Sequence, residues 1–182
     1  GADADLVARF MTEATGVGAV AYDERGRDGT ARVAALLADV GAKRVLLDPT
    51  ALPERLGGVD VMAALRAAGV EVVTKWDDDT LFTVDAGITG VAAAVAETGS
   101  LACLSGPDSA LGASLVPPVH IAVVRVSQIV PDLFDWYAGL EALPELAANV
   151  NLITGPSKTA DIEGVLVRGM HGPGQVHIIL ID

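Results

Sequence analysis

One loop combines the residue types that bind anions in proteins: Thr154-Gly155-Pro156-Ser157-Lys158-Thr159. The apolar stretch before it, 150–153, predicts a buried strand, and the glycine and proline predict a tight turn. The hydroxyl side chains that follow are of the type that caps a new helix. A strand–turn–helix unit directs free backbone N–H groups and the positive end of a helix dipole at a bound group, and Lys158 adds a cation. The loop therefore predicts a site for a carboxylate or a phosphate.

Acidic residues directly after this loop keep a second interpretation open. Asp161 and Glu163 would lie in the first turn of the predicted helix, where carboxylates satisfy the helix dipole without any ligand. The loop would then be an ordinary capped start of a helix. Short loops after parallel strands are also the places where α/β proteins bind ligands, so both interpretations remain.

A second candidate is the four-residue turn Glu97-Thr98-Gly99-Ser100. The alanine-rich stretch before it predicts a helix over 89–96, and the apolar residues after it predict a strand over 101–104. A carboxylate at such a turn can act as a nucleophile or a general base, whereas a surface glutamate at a helix end needs no function. Because a helix C-terminus disfavours negative charge, the position indicates a catalytic role for Glu97. Thr98, Gly99 and Ser100 are expected to bind the substrate beside it.

The histidines form a third group of candidates. His171 lies in the glycine-containing loop 170–174, where a ligand can approach the backbone, and an imidazole exchanges protons near neutral pH. The alternative is an exposed loop histidine without a role. His120 and His177 fall in apolar strands, and we predict that both are structural.

Charge and composition exclude several classes of ligand and partner. The 182 residues include 24 acidic and 12 basic side chains, and the net charge of −12 opposes binding to nucleic acid or anionic lipid. The single cysteine, Cys103, leaves no cysteine cluster for zinc or iron–sulfur binding, so we predict no metal and no cofactor in this chain. No apolar run is long enough for a membrane span or a secretory signal, which indicates a cytoplasmic protein.

Strands and helices alternate from residue 30 onward, and several predicted strands are continuous apolar runs, as in strands buried on both faces. This pattern predicts a three-layer α/β domain over residues 30–182, with a mostly parallel sheet and helices on both faces. Residues 1–29 are predicted to form an N-terminal helix and a linker arm that packs loosely or against a partner. We expect the candidate loops to meet over the carboxyl edge of the one sheet.

Four motifs follow one another along the second half of the chain: 85–90 leading to 96–101, 117–124, 153–163 and 171–174. Their sequences are DAGITG with AETGSL, PPVHIAVV, ITGPSKTADIE and HGPG. In this order they resemble the LUD-domain family, specifically its lactate-utilisation protein C branch. The resemblance covers most of residues 40–182.

That resemblance implies a fold similar to the sugar-phosphate isomerase and CoA-transferase group. It also implies a role beside two iron–sulfur partner proteins in oxidising L-lactate to pyruvate, so that the iron–sulfur clusters belong to the partner subunits. In the related CoA-transferases a glutamate attacks the thioester, and by analogy of fold Glu97 is the candidate for a comparable position.

Three functions remain open at this point. In the first, the chain is a subunit of the lactate-oxidising complex that binds a small anion at 154–159, while Glu97 or His171 takes a proton from the substrate hydroxyl. In the second, it is a non-catalytic assembly subunit whose loops and apolar surfaces bind the iron–sulfur partners. In the third, it is an independent enzyme that acts on a phosphosugar or an acyl-CoA.

Overall fold

The computed structural model of the chain describes residues 2–48, 55–56, 59–105, 111–141, 149–162 and 165–182. The α-helices in these ranges are α1 (Ala2–Gly16), α2 (Gly29–Asp39), α3 (Val61–Ala67), α4 (Asp78–Thr83) and α5 (Leu133–Glu141). The strands are β1 (Val20–Asp23), β2 (Arg44–Leu47), β3 (Arg55–Leu56), β4 (Val59–Asp60), β5 (Glu71–Val73), β6 (Ala86–Thr89), β7 (Ala93–Val95), β8 (Ser100–Leu104), β9 (Val119–Arg125), β10 (Ile129–Val130), β11 (Val150–Ile153), β12 (Lys158–Ile162), β13 (Val165–Arg168) and β14 (Gln175–Ile181).

Six strands form a wholly parallel sheet in the order β1-β14-β9-β6-β2-β5. The central pair, β14 and β9, is in register over seven residues, from Gln175 opposite Val119 to Ile181 opposite Arg125. All but one residue of each of these two strands is buried, which explains their continuous apolar sequence. The predicted α/β fold with a mostly parallel sheet is confirmed.

The two faces of this sheet are covered in different ways. On one face, α2 and α3 bury Leu37 and Leu65 against Ile179. On the other face, α1 buries Phe10 against Ile178, together with a second, four-stranded sheet in the order β10-β7-β8-β11. Helices are therefore present on both faces of the parallel sheet, and on one of them the small sheet lies between the parallel sheet and α5.

The alanine-rich stretch 89–96 does not form the predicted helix. Thr89 ends β6 and Ala93–Val95 is β7, which pairs with β8 on one side and β10 on the other. Ala94 packs towards the parallel sheet, whereas Ala93 and Val95 pack towards α5. This alternation has the period of a strand, so burial between two layers overrides the helix propensity of alanine.

The helix predicted to begin near Ser157 is also wrong. Lys158–Ile162 is the strand β12, which pairs antiparallel with β13. Thr159 lies opposite Val167 in this hairpin, and such β-branched residues favour strands over helices. No helix dipole therefore points at the loop before β12. Glu163, in the first turn of the predicted helix, lies outside the described residues.

The segment before residue 30 packs into the same body as the rest of the chain. Phe10 is fully buried, with Val7 and Ala14 buried beside it. β1 extends the parallel sheet by pairing with β14, from Val20 opposite His177 onward. The predicted N-terminal helix is present, but it and β1 are packed elements rather than a loose arm. The beginning of a separate α/β domain at residue 30 stays a prediction.

His120 is a fully buried histidine of β9, as its apolar surroundings predict. Its Nε2 lies 2.9 Å from Thr89 Oγ1 on the neighbouring strand, and its Nδ1 has no hydrogen-bond partner among protein atoms. Burial disfavours the charged imidazolium and lowers the pKa of His120 to about 4 from its ordinary 6.5. The folded protein therefore keeps this ring neutral at pH 7.

We expect the free energy of unfolding to decrease as the pH falls from about 6.5 to about 4. Over this range the unfolded chain protonates His120 and the folded chain does not, which costs about 3 kcal/mol in total. Urea unfolding between about pH 7 and about pH 4 measures the effect. His120→Met removes the titrating ring and should flatten the dependence by one proton. Equal pH dependence in both proteins would contradict a neutral His120.

Candidate functional site

The carboxyl end of α1 contacts two of the predicted loops at very short range. Gly99 has φ +66°, and a Cβ atom there would lie 2.2 Å from the backbone N of Ala14. Gly155 has φ +72°, and its Cβ would lie 2.5 Å from the carbonyl oxygen of Val17. Only glycine combines this left-handed backbone with so close an approach. Both glycines are therefore required for their loops to rest on α1.

Three hydroxyl groups connect the turn before β8 with the loop after β11. Thr98 Oγ1 lies 2.7 Å from Ser100 Oγ, which lies 2.7 Å from Thr154 Oγ1. Ser100 is 3% exposed, whereas Thr154 is exposed. Three hydroxyls carry three protons, and the two hydrogen bonds between them use two. When the bonds run in one direction, the spare proton belongs to Thr98 or Thr154 and can be donated to a ligand.

The loop that contains His171 lies against the loop of Ser157. The backbone N–H of Ser157 donates to the carbonyl of Pro173 at 2.8 Å, and the N–H of Gly169 donates to the carbonyl of Ser157 at 3.0 Å. A Cβ on Gly172 would lie 3.3 Å from Ser157 Cβ. The two loops are thus held side by side, and His171 is exposed between them and solvent.

Lys158 ties the same loop to α1. Its Nζ donates to the carbonyl oxygen of Val17 at 2.7 Å, just beyond the last residue of the helix. Carbonyl groups at a helix C-terminus lack intrahelical partners and carry partial negative charge, so a cation is favourable there. An ammonium group has three N–H donors and this bond uses one. The exposed Lys158 side chain therefore keeps donors for an anionic ligand.

These loops lie at the amino edge of the parallel sheet. Val17 and Gly18 directly precede β1, and Gly174, which precedes β14, donates its N–H to the carbonyl of Pro118 before β9 at 3.0 Å. The expectation that the loops meet over the carboxyl edge is wrong. The reason is that β11 belongs to the second sheet, where it runs antiparallel to β8, so its end does not share the carboxyl edge of the parallel strands.

Glu97 lies at the start of a β-hairpin turn and not at the end of a helix. The turn is closed by the N–H of Gly99, which donates to the carbonyl of Val95 at 2.9 Å, and the N–H of Glu97 donates to the carbonyl of Pro131 at 3.0 Å. The helix-dipole argument for this residue therefore no longer applies. Its carboxylate is exposed beside Thr98.

The structure brings the predicted residues together in pairs. Thr98 bonds to Ser100, which bonds to Thr154, and the loop of His171 bonds to Ser157. Gly99 contacts the end of α1, and Gly155 and Lys158 contact Val17 just beyond it. Within the described ranges, neither the Glu97 carboxylate nor the His171 ring makes a hydrogen bond. Thr159 lies on β12, half-buried, as part of the hairpin.

The platform formed by residues 13–18 is a part of the site that the sequence did not predict. Gly18 has φ +99°, and a Cβ there would lie 3.3 Å from Lys158 Nζ. Gly16 and Gly18 are visible in the sequence as a helix stop, but a helix stop does not show what packs on it. No local signal connects residues 13–18 with loops near the other end of the chain.

The interior offers little further reactivity. Burial, with a smaller contribution from the charge of Asp48, raises the pKa of the Cys103 thiol to about 12, so the thiol stays protonated and unreactive. Among the residues whose positions are described, no group of three or more His, Cys, Asp or Glu side chains is arranged to bind a metal ion. In the same part of the chain, no helix has both the length and the apolar character to cross a bilayer.

The wholly parallel main sheet defines an α/β protein. Its candidate site, at the amino edge of that sheet, is built from three loops: 97–100, 154–157 and 169–174. A family model described as the LUD domain matches residues 30–181, and the chain belongs to that family. The order of the four motifs therefore predicted the family correctly.

Several proteins are similar in sequence to this chain. An uncharacterized protein of Neisseria meningitidis is 36% identical over 149 residues, which is 78% of this chain and 62% of that protein. Lactate utilization protein C of Macrococcus caseolyticus is 38% identical over 53% of this chain and 43% of its own length, and that of Bacillus subtilis 36% identical over 60% and 50%. The chain thus spans between 43% and 62% of the length of these relatives.

A crystal structure of a DUF162 family protein from Deinococcus radiodurans has the same fold. It superposes with a TM-score of 0.67 at 22% identity and covers 99% of this chain and 98% of that one. Because the superposition includes nearly the whole chain, α1 and β1 are part of the shared fold.

We expect Gly99→Ala to destabilise the protein far more than Gly26→Ala. The two glycines have nearly equal φ, +66° and +67°, but a Cβ at Gly26 meets nothing within 4 Å. Gly26→Ala should therefore lower the free energy of unfolding only by the backbone strain, about 1 kcal/mol. Gly99→Ala also displaces α1 and should lower it by at least about 3 kcal/mol. Urea unfolding of both variants measures the difference. Equal losses would show that the Gly99 turn does not rest on α1.

Proposed function

We propose that this chain is a subunit of a lactate-oxidising system and that its three-loop site binds L-lactate or a similar small carboxylate. The observation that carries the proposal is the hydroxyl chain of Thr98, Ser100 and Thr154, which leaves Thr98 or Thr154 a proton for a ligand when its two bonds run in one direction. The names of the relatives from Macrococcus and Bacillus, lactate utilization protein C, support the pathway.

Binding would rest on two kinds of donor. A substrate carboxylate would accept a hydrogen bond from Thr154 and a charge-assisted bond from the ammonium group of Lys158. The chain carries a net charge of −12, so a carboxylate is repelled by most of the surface and needs such a local positive group. The proposed site supplies it at Lys158, directly after the loop that Gly155 places against Val17.

The proposed chemistry of this chain is proton transfer. Oxidation of L-lactate to pyruvate releases two protons and two electrons. Glu97, next to Thr98, or His171, in the loop against Ser157, would accept the proton of the substrate hydroxyl, and both are exposed to a ligand. The Cα–H bond would break as its two electrons pass to iron–sulfur clusters, and its proton would go to the other of these two bases. Two partner proteins would hold the clusters, since this chain has only one cysteine.

A non-catalytic assembly subunit is the second candidate function. It is favoured by the way the polar groups of the site bond to one another: Ser100 bonds to both threonines, and Lys158 bonds to Val17. Such bonds hold loops together whether or not a ligand binds. In this case Glu97→Gln should leave the turnover of the assembled complex unchanged.

We expect isothermal titration calorimetry to detect L-lactate binding by the purified chain, weakened about tenfold by Lys158→Met. The loss corresponds to one charge-assisted hydrogen bond. Lys75→Met is the matched control, because Lys75 is also an exposed lysine but precedes α4, away from the three loops. Ser100→Ala should also weaken binding, since it interrupts the hydroxyl chain. The absence of heat with the unmodified chain would reject the binding site and favour the assembly role.

A further inference from the structure

Helix α5 carries an unusual share of the aromatic side chains. The chain has only seven aromatic residues, and three of them, Phe134, Trp136 and Tyr137, fall within one turn of this helix. Trp136 packs on the second sheet, but Phe134 is 86% exposed and Tyr137 is 63% exposed. Exposed aromatic side chains that lie together are typical of protein–protein interfaces.

A largely apolar cleft of about 270 Å³ lies beside these side chains. Trp136 forms one wall, and Ala93, Leu104 and Val130 of the second sheet line it as well. Among the described residues that line the cleft, Asp135 is the only charged one. A cleft of this kind accepts one apolar side chain of a partner and offers a carboxylate at its rim.

The strand β11 extends the apolar surface of this layer. Val150 and Leu152 are paired with Leu104 and Ala102, and these two pack in the cluster of Trp136. Because paired residues of neighbouring strands point to the same face, Val150 and Leu152 also point to the α5 side of the sheet. They remain 41% and 47% exposed. The surface therefore continues from α5 across the cleft to β11.

The charge of this region selects the kind of partner. In the described parts of this region, 126–140 and 149–157, the acidic residues are Asp132 and Asp135, and there is no lysine or arginine. Nucleic acid and anionic lipid are therefore repelled. A second copy of this chain is disfavoured as well, because it would bring the same acidic helix and a net charge of −12 against this surface. The complementary partner is a protein segment with an apolar side chain flanked by lysine or arginine.

We propose that α5, the cleft and β11 form the docking surface for an iron–sulfur partner protein of the lactate-oxidising complex. A basic segment of the partner places an apolar side chain in the cleft against Trp136, contacts Phe134 and Tyr137, and pairs a cation with Asp135. The inference rests on the proposed function for the existence of the complex, and it goes further by assigning the contact to one face. That face is formed by elements other than the three loops of the ligand site.

The test measures, by sedimentation velocity, the affinity of the chain for the two proposed iron–sulfur partner proteins, purified from the same organism. We expect Phe134→Ala combined with Tyr137→Ala to weaken binding at least about tenfold, and Asp135→Lys to weaken it and reduce its salt dependence. Phe82→Ala is the matched control, because Phe82 is 79% exposed on α4 and should leave the affinity within about twofold. Circular dichroism checks that each variant is folded.

The outcomes separate the docking surface from the complex itself. Unchanged affinity of the double variant, or an equal loss with Phe82→Ala, would overturn this surface and leave the complex standing. If neither iron–sulfur protein binds the unmodified chain, the proposed complex fails and the surface loses its partner with it. Self-association of the chain that Phe134→Ala abolishes would identify a second copy as the occupant and would also overturn the proposal.

Discussion

The architecture of the candidate site depends on one steric constraint: two loops from distant parts of the chain approach the end of α1 so closely that only glycine fits. At Gly99 the obstructing group is the backbone of Ala14, and at Gly155 it is the carbonyl of Val17. Backbone atoms cannot move aside as a flexible side chain can. The constraint therefore fixes the relative position of the Glu97 turn and the Lys158 loop. This position allows Ser100 to bond to Thr154 and the Lys158 ammonium group to bond to Val17.

This constraint also explains why the site lies where an α/β protein does not usually bind ligands. Ligands of parallel sheets bind at the carboxyl edge, where loops follow the strands. Here the loops adjoin strands of the second sheet and of the β12–β13 hairpin. The loops of Gly99 and Gly155 contact the end of α1, which precedes β1 at the amino edge of the parallel sheet. The N-terminal helix is thus part of the site, although the LUD-domain match begins at residue 30.

Much of the fold follows from local patterns. Apolar runs predicted the strands of His120 and His177, which are β9 and β14. The helices that were predicted wrongly are in segments whose structure depends on residues distant in sequence. Ala93–Val95 is a strand because two layers enclose it, and Lys158–Ile162 is a strand because β13 pairs with it. The residues of the site were named from motifs, but their common support at the end of α1 has no local signature, because both Gly99 and Gly155 are distant from α1 in sequence.

A double-mutant cycle between Gly99→Ala and Gly155→Ala tests the shared support most directly. If both loops rest on one turn of α1, a shift of that turn that admits the first methyl group also makes room for the second. The account predicts that the double variant loses at least about 1 kcal/mol less unfolding free energy than the sum of the single losses. Losses that add to within about 0.5 kcal/mol would show that the two loops are supported independently and would contradict the account.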